Sequence, residues 1–188
     1  MTEELVPLGL RDELFAVFRA CLGGAQAEAR FLKEAEALGS RAKGSWVKGA
    51  YLDDRKPRYL EALRQAAALP GELEGLARDV EVARILFNAG LFFDCHEYLE
   101  PPWREAGGRV KRVLQGIIQA GAGMHKLEQG SFVGCARLLK EAAAKLAEAQ
   151  GAGLRAFGLA VAEAAGRAAH EELTPERAPR FQEGALEL

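Results

Sequence analysis

The sequence predicts an all-α protein, built from antiparallel helical hairpins or a helical bundle. Ala, Leu, Glu and Arg dominate the chain and favour helices, and long runs of β-branched residues do not occur. Apolar residues recur three or four positions apart along most segments, as they do on the buried face of a helix. Glycine and proline separate these segments by short connections, which place consecutive helices side by side and antiparallel.

The first two helices are predicted before residue 39. Apolar residues spaced three or four apart mark the first helix, which the pair Gly23-Gly24 ends. These apolar residues are Leu10, Leu14, Val17, Phe18 and Cys21. A second helix is expected from Ala25 to Leu38, where Gly39-Ser40 ends it.

A loop is predicted over residues 39–56, because glycine, serine and paired aspartates gather there. Pro57 suits the first turn of a third helix, where no helical hydrogen bond is lost, and Pro70-Gly71 closes that helix. A domain boundary is predicted near residues 70–78. The predicted division is an N-terminal helical extension at 1–75, a helical core at 79–173 and a tail at 174–188.

Further helices are predicted in the core. Asp79 is expected to cap the first of them, which runs through Phe87. The next carries His96 and is expected to end or kink near Glu100, because Pro101-Pro102 removes amide donors and disfavours helical geometry before it. Another helix is expected after the break at Gly107-Gly108 and runs to about Leu127. Ser131 is expected to cap the next, which runs to Ala149, and the last is expected from Leu154 to Leu173.

Composition restricts the class of protein. A chain of 188 residues can bury a core, and 28% charged residues is typical of a soluble globular protein. The net charge of −2 argues against a generally basic nucleic-acid binder. The longest apolar-leaning run, Val113 to Met124, is too short to span a bilayer, so no membrane association is expected. Widely spaced cysteines without a C-x-x-C pair, and no signal-peptide pattern, indicate a cytoplasmic protein.

Most of the polar residues that could take part in catalysis or specific binding lie in one stretch, Asp94 to Arg104. On a helix, His96 falls on an apolar stripe with Phe92, Leu99 and Trp103. The neighbouring stripe carries Glu97, Glu100 and Arg104. A histidine is thus expected beside two carboxylates and a guanidinium.

The next predicted helix adds a second imidazole and two amides, His125, Gln115 and Gln119. If the two helices are antiparallel, these side chains face His96 and Glu100 across the interface. The same helix has a stripe of small residues, Gly116, Ala120 and Gly123. Because a mid-helix glycine costs about 1 kcal/mol relative to alanine, the glycines indicate that another helix or a ligand comes close.

Three interpretations of this cluster stay open. His96 and Glu100 have the i, i+4 spacing by which one helix offers two metal ligands, and Glu97 or His125 would complete a set. A buried hydrogen-bond network would satisfy the same side chains without a ligand. An organic-ligand pocket is the third interpretation. The stretch is not H-E-x-x-H, because Glu100 stands where the second histidine would be, and this weakens a metalloprotease interpretation.

A second, weaker signal is a basic stretch with interleaved aromatics between residues 41 and 58. Such a pattern can grip a nucleic-acid strand, but two aspartates dilute its charge, so a solvated loop is favoured and nucleic acid is an unlikely partner. The basic residues are Arg41, Lys43, Lys48, Arg55, Lys56 and Arg58, with Trp46 and Tyr51.

The segment around His96 resembles domain-of-unknown-function family 309, small helical proteins of bacteria and archaea. Two motifs carry the resemblance: H-E-x-L-E-x-x-W, from His96 to Trp103, and L-Q-G-x-I-Q, from Leu114 to Gln119, followed by His125. The resemblance covers roughly residues 79–150. It implies an all-α fold with tetratricopeptide-like pairing of helices in the C-terminal core, and no assigned activity. The signature residues it implies are His96, Glu97, Glu100, Trp103, Gln115, Gly116, Gln119 and His125.

Two functions are therefore weighed. The first is a non-enzymatic module that binds a partner protein or a small ligand, since no nucleophile with its base is recognisable. The alternative is a metal-dependent hydrolase, in which His96, Glu100 and His125 hold a divalent ion and Glu97 acts as general base on a bound water. The cofactor is unknown in the first case and a divalent metal in the second.

Overall fold

The protein is all-helical in its computed structural model, which describes residues 8–41 and 46–182. Those residues form eight α-helices and one short 3-10 helix, with no strand, so the predicted fold class is confirmed. The helices are α1 (Leu8–Cys21), α2 (Ala27–Arg41), α3 (Trp46–Ala67), α4 (Gly75–Asn88), α5 (Phe92–Glu105), α6 (Gly108–Glu128), α7 (Phe132–Leu146) and α8 (Ala152–Ala169). The 3-10 helix spans Pro175–Arg177. None of the described helices has the length and apolar character needed to cross a membrane.

The chain divides into two compact units, Met1–Pro70 and Gly71–Leu188. In the first unit, α1, α2 and α3 pack on one another around an aromatic cluster. The buried ring of Tyr59 lies 5.3 Å from that of Phe18 and 5.4 Å from that of Phe31, so each helix contributes one ring. Tilted aromatic pairs at this separation add to the free energy of burial, which ties the three helices together.

The predicted loop over residues 39–56 is wrong in the described residues, because α2 continues past the expected end at Leu38 through Gly39 and Ser40 to Arg41. Helix α3 begins at Trp46, and Pro57 lies inside it rather than in its first turn. Proline there leaves one carbonyl without its helical partner. Burial of Leu52 and Tyr59 on either side of the proline keeps the helix continuous, because packing contributes more to a helix than local propensity. The predicted loop residues Gly44 and Ser45 lie outside the described part of the chain, as does Lys43 of the basic stretch.

The second unit is a series of antiparallel helical pairs from α4 to α8, each helix packing against the next. Phe87 near the end of α4 contacts Phe92 at the start of α5, while Asp79 on α4 accepts a 3.4 Å hydrogen bond from Tyr98 on α5. Later residues of α4 thus contact earlier residues of α5, and earlier residues of α4 contact later ones of α5, so the two helices are antiparallel. The tetratricopeptide-like pairing expected for this core stays a prediction.

Glycines at positive φ make the short connections possible. Gly90 ends α4 and Gly130 ends α6, with φ of 72° and 73°. In both, the next amide donates back over the helix end: Leu91 to the Leu86 carbonyl and Ser131 to the Lys126 carbonyl, each at 2.9 Å. This is the Schellman arrangement, which satisfies the last carbonyls and reverses the chain.

Several predicted boundaries in this unit need correction. Helix α4 begins at Gly75 with Glu74 at its N-cap, so Asp79 lies inside the helix and not at its start. Ser131 stands at the N-cap of α7 but its side chain makes no capping hydrogen bond. Helix α7 ends at Leu146 rather than Ala149, and α8 spans Ala152–Ala169 instead of Leu154–Leu173. Terminal turns are where propensity rules discriminate least.

The prediction that α5 ends near Glu100 is wrong, and its alternative, a kink there, stays a prediction. Helix α5 continues through Pro101 and Pro102 to Glu105. The Ala106 amide donates to the Pro102 carbonyl at 3.0 Å, so helical hydrogen bonding resumes after the two missing donors. Leu99 is fully buried just before the prolines and fixes this part of the helix against the core. Trp103 and Arg104 therefore remain on the same helix as His96.

The glycines of α6 let two other helices come close, as predicted. A Cβ on Gly116 would lie 2.9 Å from Leu146 of α7, and one on Gly123 would lie 3.1 Å from Leu139. Gly121 faces the opposite way, where a Cβ would lie 2.8 Å from the Phe92 carbonyl oxygen of α5. Helix α6 is thus the central helix of the unit, and Gly121 allows α5 and α6 to pack closely.

Candidate metal centre

Three potential metal ligands lie together on α5. His96, Glu97 and Glu100 each offer a ligand atom, and these atoms lie within 4.8 Å of one another. The imidazole is flanked on both edges: Nε2 lies 3.1 Å from Glu100 Oε1, and Nδ1 lies 3.5 Å from Glu97 Oε1. The predicted His96–Glu100 contact is therefore present. Among the described residues, this is the one group of His, Cys, Asp or Glu compact enough to hold an ion.

The cluster is partly buried and rich in acceptors. The side chains of His96 and Glu100 are 23% and 27% exposed, and that of Glu97 is 38% exposed. Arg104 forms an ion pair with Glu100 Oε2, while Oε1 of the same carboxylate faces His96. The guanidinium thus occupies one carboxylate oxygen and leaves the other directed at the imidazole.

Close packing against α6 positions His96. The backbone amide nitrogen of His96 would lie only 3.4 Å from a Cβ at position 121, so the two helices are in direct contact there. Cys95 and Leu99, on either side of His96, are fully buried and anchor this stretch of α5. The Phe93 ring lies 5.8 Å from the imidazole, edge to face, and covers one side of it. His96 is therefore held by a rigid element.

His125 is not part of this cluster. Its Nδ1 lies 3.1 Å from Glu128 Oε2, and its Nε2 lies 3.0 Å from the Gln129 side-chain nitrogen, both on or next to its own helix. The Phe93 ring lies 5.3 Å from the His125 ring, on the side of α6 that faces α5. Because Gly121 is the residue opposite His96, His125 comes one helical turn too late to meet it.

Of the two expected amide partners, Gln119 is directed at a different helix. Gln119 donates from Nε2 to Glu141 Oε2 of α7 at 2.7 Å, so it belongs to the α6–α7 interface. Gln115 is half-buried on α6. The carboxylates that contact the His96 ring, Glu97 and Glu100, both come from α5.

Lys111 is a residue of this region that the sequence interpretation missed. Its ammonium lies 5.0 Å from the centroid of the half-buried Trp103 ring and donates to the Arg104 carbonyl at 3.3 Å. These contacts fasten the start of α6 to the last turn of α5, beyond the two prolines. A cation over an indole face contributes about 0.5–1 kcal/mol. The only signal for it in sequence is the antiparallel register, which places residue 111 opposite residues 103–104.

The cysteine beside His96 takes no part in the site. Cys95 is fully buried, and desolvation, together with the neighbouring Asp94 charge, raises the pKa of its thiol far above the usual value. The thiol therefore stays protonated and unreactive. Adjacent residues on a helix also point about 100° apart, which does not favour a dyad of Cys95 and His96.

Comparison with known proteins supports the resemblance seen in sequence. Residues 80–138 match the family described as Domain of unknown function (DUF309), which confirms the resemblance for that segment. The matched range contains α5 and α6 and hence the whole cluster of His96, Glu97 and Glu100. No curated protein and no solved structure matches the chain.

Proposed function

We propose that this chain is a helical binding module whose ligand is a divalent transition-metal ion, held by His96, Glu97 and Glu100. One observation carries the proposal: three side chains of ligating type lie within 4.8 Å of one another on a single, well-anchored helix. An imidazole with two carboxylates suits first-row ions such as Zn²⁺. Three protein ligands leave open positions at the ion for a water or a small ligand.

Binding an ion requires little movement of His96 and Glu100 but a change of rotamer at Glu97. Two ligands at 2.0–2.2 Å from a tetrahedral ion lie about 3.4 Å apart. The Nε2–Oε1 distance between His96 and Glu100 is already 3.1 Å, and the cluster as a whole spans 4.8 Å or less. Glu97 lies beside Nδ1, on the other edge of the ring from Glu100. Because one imidazole nitrogen binds one ion, Glu97 must change rotamer, on the more exposed edge of the cluster, to reach an ion at Nε2.

Arg104 supports this arrangement as a positioning residue. Its guanidinium holds Glu100 Oε2, so the lone pairs of Oε1 remain aimed at the place beside His96 Nε2. Partners of this kind orient ligands and tune their affinity, and their loss typically weakens metal binding by 10- to 100-fold.

A binding module is favoured over a hydrolase. The hydrolase hypothesis needs His125 as a ligand so that Glu97 is free to act as a base. His125 instead contacts Glu128 and Gln129, and Glu97 is itself one of the three clustered donors. The same carboxylate would have to bind the ion and take a proton from the water, which leaves no separate general base in the set.

Isothermal titration of the metal-free chain with Zn²⁺ tests the proposal, using protein that carries no affinity tag. We expect one ion per chain for the wild type. Glu100→Gln keeps the shape of the side chain, removes the charged donor, and should weaken binding at least tenfold. Glu105→Gln makes the same change at an exposed position of α5 outside the cluster and should leave affinity unchanged. Equal affinity in all three proteins would overturn the proposal.

A further inference from the structure

The side chain of Asn88, at the end of α4, forms two hydrogen bonds with the backbone of Phe181, a residue distant in sequence. Its Nδ2 donates to the Phe181 carbonyl at 2.7 Å, and its Oδ1 accepts from the Phe181 amide at 3.1 Å. One carboxamide therefore satisfies both main-chain groups of a single residue, as the next strand would in a sheet. Such a contact recognises an extended main chain whatever side chains that chain carries.

An aromatic pocket beside Asn88 receives the side chain of the same residue. The Phe181 ring is buried and stacks on Phe157 of α8, with centroids 4.3 Å apart and planes within 6°. Phe157 in turn meets Phe87 of α4 edge to face at 5.1 Å. We call this site, made of Asn88, Phe157 and Phe87, the tail seat.

The segment in the tail seat is bound as an extended peptide is. Along residues 179–182 the side chains alternate: Pro179 and Phe181 are buried, whereas Arg180 and Gln182 are exposed. Alternation of this kind is what an extended segment presents when every second side chain enters a pocket. Arg167 of α8 adds a second side-chain contact to the main chain, donating to the Arg177 carbonyl at 3.2 Å.

We propose that the tail seat is a peptide-binding site for extended segments with an aromatic residue two positions after a proline, and that residues 178–182 occupy it as a built-in competitor. Asn88 reads the main chain, which any such segment presents, and the ring of Phe157 selects the aromatic side chain. A partner peptide must displace the resident segment, whose tether gives it an effective concentration in the millimolar range. Binding in trans is therefore weak until that segment is released.

The first test empties the seat in the full-length chain. The probe is a fluorescein-labelled peptide with the sequence of residues 175–182, followed by fluorescence anisotropy. Phe181→Ala should bind this peptide at least tenfold more tightly than the wild type does. The same peptide carrying Phe→Ala should not bind, and adding Asn88→Ala to the Phe181→Ala chain should abolish binding. A folded Phe181→Ala chain that binds neither peptide, or both equally, overturns the proposal.

A second measurement uses the wild-type chain and does not depend on the variant folding. The chain is labelled with ¹⁵N and mixed with unlabelled peptide at millimolar concentration. Displacement should shift the Phe181 amide resonance and lower its protection from hydrogen exchange as the peptide concentration rises, because its acceptor on Asn88 is then taken by the peptide. A resonance that keeps its position and its protection throughout the titration overturns the proposal.

Discussion

Replacing Gly121 with alanine should destabilise the second unit and disturb the candidate site at the same time. The added methyl would lie 2.8 Å from the Phe92 carbonyl oxygen and 3.6 Å from the Cβ of His96. A contact under 3.0 Å with a backbone atom cannot be relieved by turning a side chain. Helix α5 must therefore move away from α6, and His96 moves with it.

The change in the free energy of unfolding for Gly121→Ala is the difference between a packing cost and a gain in helix propensity. Overpacking of a tight interface costs about 1–3 kcal/mol. Alanine gains about 1 kcal/mol over glycine in a helix interior, so the net loss is up to about 2 kcal/mol. Gly166 provides the matched control, because it lies inside α8, is exposed, and has nothing within 4 Å of the position of an added Cβ. Gly166→Ala should gain about 0.5–1 kcal/mol through helix propensity alone.

Urea unfolding of the two variants and the wild type, followed by circular dichroism, measures these differences. Zinc titration of the same samples shows whether His96 has moved, and Gly121→Ala should lower zinc affinity while Gly166→Ala does not. If Gly121→Ala is as stable as Gly166→Ala, α5 and α6 are not in the close contact described, and the positioning of His96 needs another explanation.

Other predictions concern the site and the buried thiols. Arg104→Gln should lower zinc affinity by about tenfold or more with little loss of stability, since the Arg104 side chain is exposed; an unchanged isotherm would reject its positioning role. Burial raises the pKa of Cys135 to about 11 from an ordinary 9.0, so at pH 8 its thiol should react with a disulfide reagent about 100-fold more slowly in the folded chain than in urea. The unfolded thiol ionises first as pH rises, so this cysteine's contribution to stability is complete below about pH 9 and falls between pH 9 and about 11; Cys135→Ala should lose that part of the pH dependence.

Local sequence signals are sufficient to predict the bounds of a helix when glycines that break the helix lie at both of its ends. The sequence predicts a helix after the break at Gly107-Gly108 to about Leu127, and α6 spans Gly108–Glu128. Glycine at positive φ at its first position, Gly108, and just after its end, Gly130, explains this accuracy, because such positions exclude helix continuation irrespective of tertiary packing.

Proline misled the prediction in two helices. Pro57 lies inside α3, and Pro101-Pro102 lies inside α5. Local rules state what a proline costs a helix, but they do not state how much apolar burial the flanking residues gain. That gain depends on neighbours distant in sequence, such as the helices that cover Tyr59 and Leu99.

In the candidate site, contacts within one helix could be predicted from the sequence, whereas contacts between helices could not. The contact between His96 and Glu100 follows from the i, i+4 spacing on one helix and could be predicted. The positions of His125 and Gln119 depend on the register and rotation of α6 against two neighbours. A tight contact at Gly121 and the Gln119–Glu141 hydrogen bond decide them, and neither is visible in a helical pattern.

Crystals grown with Zn²⁺ and measured on both sides of the zinc absorption edge test the metal proposal most directly. We predict one strong anomalous peak beside α5, about 2.0–2.2 Å from a ring nitrogen of His96 and from carboxylate oxygens of Glu97 and Glu100. A zinc-loaded crystal with no peak at these three residues, or with its peak at His125 and Glu128 instead, would contradict it.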